Sequence, residues 1–488
     1  MITVSLNRDL YAYDIHSLIK AFYPECDVKV FVASEKDYTP GEGEPSFTGT
    51  FSEDLQELLL VLSVDGEEKG RITAKAEEAA DLSLKNALKQ DLYRLLSDFT
   101  GEELPWGNLT GIRPTKIPMN LMEEGKGEEE ILNRMETFYQ VSSEKAALAL
   151  AIAKREKKVL DLLNYENGYS LYIGIPFCPT TCLYCSFTSY PIGKWKDQVD
   201  AYLDALEQEI EYTAKAMRGR TLDSVYMGGG TPSTLSPEQM DRLLKKLAAC
   251  FDLSTAKEFT VEAGRPDSIT RELLKVMHDN GVERISVNPQ TMREETLKLI
   301  GRHHTVRQTI DAFHMAREVG FEHINMDIIL GLPGEGPEDV AYTINEIKKL
   351  RPDSLTVHSL AIKRGSRLKD WIESHDIKTL ENTDETMAIA AKGAADMGLA
   401  PYYLYRQKNM RGNFENVGYA AEGKEGIYNI LIMEEVQDIV ALGAGSISKR
   451  IFPEGRIERC ENVKEVALYM ERIDEMIRRK QELFGQKA

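Results

Sequence analysis

The chain has 488 residues, enough for about three domains at the usual size, and 42% of them are hydrophobic, so a sizeable buried core is within reach. A formal net charge of -19 argues against nucleic-acid binding and against an electrostatic membrane anchor, because both need clustered Lys and Arg. The amino terminus, MITVSLNRDLYAYD, has no basic segment followed by an apolar run, and no apolar stretch approaches the length of a membrane span, so the cytoplasm is the expected location.

The first part of the chain opens with short apolar alternations, ITVSL, DVKVFVA and ELLLVLSV, which predict strands. It continues into amphipathic helical segments, AEEAADLSLKNALKQDLYRLLSDF and EKAALALAIAKREKKVLDLL, around a Gly- and Pro-rich junction at residues 104–116. From Gly168 the pattern changes to short apolar runs, LYIGIP, LDSVYM, EFTVEA, RISVNP, HINMDIIL and SLTVHSL, separated by helical segments with polar or Pro starts and several terminal glycines. Strand–helix alternation of this kind predicts βαβ units and a parallel sheet. A (βα) barrel, open or closed, is the economical fold and places chemistry at the carboxyl ends of its strands. A doubly wound sheet fits the same alternation. Beyond about Lys369 the alternation fades into a mixed α/β region. It comprises the helical TDETMAIAAKGAADMG, the strand-like PYYLYRQ, the Gly-rich turn ALGAGSISKR and the terminal helical VALYMERIDEMIRRKQELF.

Three of the six cysteines, Cys178, Cys182 and Cys185, crowd into the loop after the first barrel strand, in IPFCPTTCLYCSF. Such a cluster in a long chain does not resemble a secreted disulfide framework and is read as metal-binding or redox-active. Cys26, Cys250 and Cys460 read as buried apolar thiols. A C-x-x-C redox pair of Cys182 and Cys185 would leave Cys178 idle, and a structural zinc would want a fourth ligand. An iron–sulfur cluster of the [4Fe–4S] type uses all three thiolates and keeps one iron open for a ligand.

The spacing C-x3-C-x2-C, with Tyr184 before the last Cys, resembles the radical S-adenosylmethionine enzymes. The resemblance implies a [4Fe–4S] cluster on Cys178, Cys182 and Cys185. It also implies S-adenosylmethionine chelated to the open iron and cleaved by one electron to a 5′-deoxyadenosyl radical. It assigns Gly228, Gly229, Gly230 and Thr231 of MGGGTP to the cofactor's methionine end, where glycines let backbone approach a ligand. Glu262, Gln290, Arg302 and Asp327 are the further expected cofactor contacts. An acid in the apolar run NMDIILG needs a hydrogen-bonding partner, which ribose hydroxyls would supply.

Taken together, YIGIPFC, GGGTP, VEAGRPD, SVNPQT, RHHT, MDIILGLPG, GNFEN and LGAGS resemble the oxygen-independent coproporphyrinogen III oxidase family and its haem-chaperone relatives, over roughly residues 169–450. This implies an α/β fold: a partial (βα)6 TIM-like barrel at 166–369, a small α/β domain with a helical connector at 1–165, and a C-terminal mixed α/β domain at 370–488 covering the substrate side. It implies a tetrapyrrole substrate, a flavodoxin- or ferredoxin-type electron donor, and Tyr172 beside cluster and substrate as a catalytic residue. His358, Arg406 and Arg411 are substrate-pocket candidates, and His303 and His304 read as a loop against cofactor or solvent. The chain departs from the family pattern at three places. Gly174 stands where a His is usual, Phe187 stands where the decarboxylase has a fourth Cys, and Gly412 stands where the chaperone's haem signature has its His.

Overall fold

The computed structural model describes all residues except 25, 33–40, 78–81, 188, 362–365, 376–381, 408–413 and 486–488. The chain forms two compact units, one of Met1–Ala153 with Leu404–Glu415, the other of Lys154–Tyr403 with Asn416–Ala488.

In the first unit, strands β1 (Ile2–Leu6), β2 (Val28–Val32), β3 (Pro45–Phe51), β4 (Glu57–Val64) and β5 (Glu67–Lys75) form a sheet in the order β2-β1-β3-β4-β5. β1 runs parallel to both neighbours, and β3 to β5 form an antiparallel meander. Leu58, Leu60 and Leu62 fall on one face by the two-residue period and are buried, with Val4, against Ile15, Leu18 and Ile19 of the helix Ala12–Phe22 and Leu88 and Leu92 of the helix Leu84–Thr100. That second helix starts where Ser83 accepts the Asn86 N–H, and stops at Gly101, whose φ of 73° suits a glycine. β5 is absent from the sequence reading because its residues EEKGR carry no apolar alternation. It is an edge strand, held by its pairing with β4.

The second unit contains β6 (Gly168–Ile175), β7 (Phe177–Cys178), β8 (Tyr190–Pro191), β9 (Thr221–Gly229), β10 (Glu258–Glu262), β11 (Arg284–Ser286), β12 (His323–Leu330) and β13 (Ser354–Ser359). Each predicted barrel run is thus a strand. β14 (Ala400–Arg406), β15 (Glu415–Ala420), β16 (Asp438–Leu442), β17 (Ile447–Ile451) and β18 (Ile457–Glu461) follow in the chain. The large sheet has the order β14-β15-β13-β12-β11-β10-β9-β6-β16-β17-β18. From β6 to β13 the parallel strands stand side by side in chain order. A doubly wound sheet reverses its strand order at a switch point, so this order selects the partial barrel. The strands drawn from the 370–488 region extend the same sheet, with β16 parallel to β6 and β15 antiparallel to β13. Three of the intervening helices begin at side-chain caps, Ser236, Thr270 and Thr305, with complete capping boxes at Ser236/Gln239 and Thr305/Gln308. The terminal helical segment is two helices, Val466–Glu471 and Ile473–Phe484.

Strand register stacks polar side chains on one face of the parallel strands. Tyr172 pairs with Tyr226, Glu262 with Ser286, and Asp327 with Thr356. Below them Ser170 and Ser224 share a hydrogen bond of 2.8 Å, Thr260 donates to Glu258 at 2.8 Å, and Arg284 Nε meets His323 Nε2 at 3.0 Å.

Candidate functional site

The cysteine loop leaves β6 through Pro176 and is tied down from several directions. Gly230 N–H donates to Ile175 O at 2.8 Å, Thr231 N–H to Phe177 O at 2.7 Å, and Leu183 N–H to Ile300 O at 2.9 Å. Leu183, between two of the cysteines, is buried with Leu297, Ile300, Ile329 and Leu332. Cys178 and Cys182 are buried and Cys185 is half-buried, and none of the three is in a disulfide. Burial pushes the Cys178 thiol up to about 11, against a 3.3 Å hydrogen bond from Thr231 Oγ1, and the neighbouring Cys185 and Cys182 push the same way. Arg265 Nη1 lies 3.6 Å from Cys182 Sγ. Among the described residues no three His, Cys, Asp or Glu side chains group around a point where one metal ion would sit. A four-iron cluster asks for less, since each cysteine takes a different iron. Three thiols on one loop, with guanidinium rather than carboxylate beside the sulfur, suit that cluster.

The glycine turn MGGGTP closes over this loop. A Cβ on Gly230 would come within 2.6 Å of Phe177 O, and one on Gly228 within 2.9 Å of the Glu262 carboxyl carbon. Gly229 has φ of 108°, a conformation that side chains rarely take. Beneath the turn Tyr172, Tyr226 and Tyr428 stack, with centroids 6.3 Å apart for Tyr172 and Tyr226 and 4.5 Å for Tyr226 and Tyr428. Tyr226 donates its hydroxyl to Glu262 at 2.5 Å. Burial lifts the Glu262 carboxyl to about 7. The hydrogen bond from Tyr226 opposes this, nearby Asp327 adds to it, and the Gly229 N–H opposes it again. Burial also works to raise Asp327, yet hydrogen bonds from His358, Asn325 and Thr356 outweigh it and hold that carboxyl below its ordinary value. The Asn325 bond is 2.7 Å long.

Beside these carboxylates runs a row of buried polar atoms. Ser286 Oγ, Asn288 Oδ1, Gln290 Oε1 and Arg302 Nε have no hydrogen-bond partner among the described residues. Gln290 has φ of 68°, and its backbone is held by bonds of 2.9 Å to Asp327 O and 3.0 Å from Ile329 N–H. Arg302 Nη1 donates to Asn288 O at 2.5 Å, and Tyr184 and Cys182 outweigh its burial and keep it charged. Orphaned buried groups are costly, so their concentration in one row beside the glycine turn suits a polar ligand such as S-adenosylmethionine.

The structure therefore brings together most of the residues that the sequence singles out. Thr231 meets Cys178, Arg302 meets Cys182, Glu262 meets the glycine turn, Gln290 meets Asp327 through backbone, and the Tyr172 hydroxyl lies 3.3 Å from where a Gly229 Cβ would be. Arg406 is a correction. It is buried in the first unit, donates to Leu109 O at 2.6 Å and lies over Trp106, so its charge is spent inside the fold. Arg411 and Gly412 lie outside the described residues. His303 is exposed whereas His304 is buried, and Cys26 and Cys250 are half-buried rather than buried. Phe187 is 70% exposed. Sequence reading missed Arg265, Tyr226, Ser286 and Asn288. For the last two the signal was available, because Ser286, Asn288 and Gln290 are alternate residues of the short stretch SVNPQ, which begins at the end of β11.

Fold and site together place three thiols, a tight glycine turn and a row of polar atoms unpartnered among the described residues at one end of a partial barrel. Residues 172–347 match the model of the radical SAM superfamily. The chain is 37% identical over 489 residues to the oxygen-independent coproporphyrinogen-III oxidase-like protein HemZ of Bacillus subtilis, covering 96% of this chain and 95% of that one. It is 39% identical over 198 residues to the haem chaperone HemW of the same organism, covering 40% of this chain and 51% of that one. The solved structure of coproporphyrinogen III oxidase (HemN) from Escherichia coli, a radical SAM enzyme, matches with a TM-score of 0.51 and 25% identity, over 66% of this chain and 72% of that one. The chain belongs to the radical SAM superfamily and, within it, to the oxygen-independent coproporphyrinogen III oxidase family, in its HemZ-like branch. Members of the superfamily bind a [4Fe–4S] cluster and S-adenosylmethionine. Among the described residues no helix is long and apolar enough to cross a membrane.

Proposed function

We propose that this protein is a radical S-adenosylmethionine enzyme of haem biosynthesis that converts coproporphyrinogen III to protoporphyrinogen IX by oxidative decarboxylation. What supports the reading above all is the end-to-end likeness to the HemZ protein, combined with buried thiols, a glycine turn and unpartnered polar atoms gathered at one end of the sheet. Cys178, Cys182 and Cys185 would hold the cluster, and Gly228, Gly229, Gly230, Thr231, Glu262, Gln290, Arg302 and Asp327 the S-adenosylmethionine. When bound, that pair would supply a 5′-deoxyadenosyl radical able to abstract a hydrogen atom from an unactivated carbon such as a propionate β-carbon.

The chain's own contribution is binding, orientation and exclusion of water. Glu262, hydrogen-bonded by Tyr226 and by the Gly229 N–H, presents a carboxylate to an ammonium group. Asp327, kept ionised by His358 and Asn325, accepts hydroxyl hydrogen bonds. Tyr172, half-buried beneath the glycine turn, lines the approach to the reacting centre. The substrate is a tetrapyrrole, and the electron donor is of flavodoxin or ferredoxin type.

The test is an anaerobic assay of reconstituted protein with dithionite, S-adenosylmethionine and coproporphyrinogen III, reading 5′-deoxyadenosine and tetrapyrrole mass. Loss of two carboxyl groups with matching 5′-deoxyadenosine is expected. An unchanged tetrapyrrole would overturn the decarboxylase and favour the second reading, a haem-delivery protein that keeps the cluster fold. That reading draws on the HemW likeness over 198 residues and on Phe187 at the fourth-cysteine position.

A further inference from the structure

We propose that Arg265 is a positioning residue that grips Cys182 by its sulfur and raises the reduction potential of the cluster carried by the cysteine loop. This rests on the reading of Cys178, Cys182 and Cys185 as cluster ligands. Arg265 follows β10 in VEAGRPD and is 3% exposed. Its guanidinium is fully engaged. Nε and Nη2 fork onto the two oxygens of Asp267 at 3.0 and 2.9 Å. Nη1 reaches Thr180 Oγ1 at 3.2 Å, Thr180 O at 3.3 Å and Cys182 Sγ at 3.6 Å.

The two halves of that fork have different consequences. Asp267 and Thr180 fix where the guanidinium sits, since a planar fork docked on a carboxylate has little freedom left. Thr180 in turn donates to Gly301 O at 3.1 Å, so the loop is already anchored without the sulfur contact. The bond to Cys182 therefore adds an electronic effect on top of a mechanical one. An N–H donated to a coordinating sulfur withdraws charge from it and favours the more negative, reduced cluster, and a buried full charge strengthens the effect. Arg302 also touches Cys182, but its own Nε belongs to the row of unpartnered atoms. The side-chain hydrogen bonds of Arg265 go to Asp267, Thr180 and Cys182, outside that row, which makes it the separable one.

The experiment is a redox titration followed by electron paramagnetic resonance, without S-adenosylmethionine, on the reconstituted full chain and its R265Q and R265K variants. R265Q is expected to lower the midpoint potential by about tenfold in the equilibrium, ~59 mV for one electron, with R265K in between. A wild-type midpoint in the cluster-loaded fraction of R265Q would reduce Arg265 to a mechanical clamp and overturn the proposal. If R265Q takes up no cluster, R265K decides alone: a lowered midpoint supports the proposal and an unchanged one overturns it. A wild-type chain that loads no [4Fe–4S] cluster fails earlier and visibly, and overturns the cysteine assignment itself.

Discussion

Two buried polar networks in the second unit contrast sharply. Behind the turn LGAGS, Glu209 accepts from Asn462 at 2.8 Å and Lys480 at 2.6 Å through one oxygen, and from Gly443 N–H at 2.8 Å and Tyr469 at 2.6 Å through the other. Lys480 also donates to Asn462 Oδ1 at 2.9 Å, and neither Glu209 nor Lys480 is exposed. Each of these groups is satisfied by the protein itself. Beside the glycine turn, Ser286, Asn288, Gln290 and Arg302 carry buried atoms without a partner among the described residues. A closed network belongs to the fold, whereas an open one beside a backbone cradle belongs to a ligand.

The largest effect should come from breaking the closed network. K480M leaves Glu209 buried without its cation and is expected to cost about 3–5 kcal/mol in urea unfolding, while the E209Q/K480M pair, which removes the orphaned charge but keeps an acceptor for Tyr469 and the Gly443 N–H, recovers part of that loss. Disturbing the open network should do the reverse. S286A and Q290A are expected to leave the unfolding free energy within about 0.5 kcal/mol of wild type, and to weaken S-adenosylmethionine binding to the reconstituted protein about five- to tenfold by calorimetry. Large destabilisation by either would mean that the row serves the fold.

A pH series sharpens the same contrast. Glu262 titrates near 7 because it is buried, so S-adenosylmethionine affinity should fall as pH drops below about 7 and the carboxyl takes up a proton. E262Q should bind weakly and flatten that profile. Glu156 supplies the smallest and most specific check. Both its oxygens are buried without a partner among the described residues, and burial, with nearby Glu434, raises its pKa well above the ordinary 4.5. Its charged neighbour is a second carboxyl, Glu434, so a retained proton explains it. The folded state then binds more protons than the unfolded state above pH 4.5, so stability falls as pH rises through that window, and E156Q should lessen the slope.

Much of this was legible beforehand because barrel strands and their helices advertise themselves locally. HINMDIIL is a strand from its first residue to its last, and Ser236 and Thr305 cap helices as their sequences require. The cysteine loop was legible because three thiols in eight residues have few other uses. Arg406 was misplaced because its charge reads the same whether it faces a propionate or a backbone carbonyl. Arg265 escaped notice because its sulfur contact joins residues far apart in the chain.

Local patterning by itself determined the strand and helix succession of the barrel, the cluster motif and the glycine turn, since periodicity, caps and ligand spacing act within a few residues. Tertiary structure alone decided the strand order that separates a barrel from a doubly wound sheet. It also decided which buried polar atoms close on one another and which stay open, because hydrogen-bond satisfaction depends on partners that folding brings from distant parts of the chain.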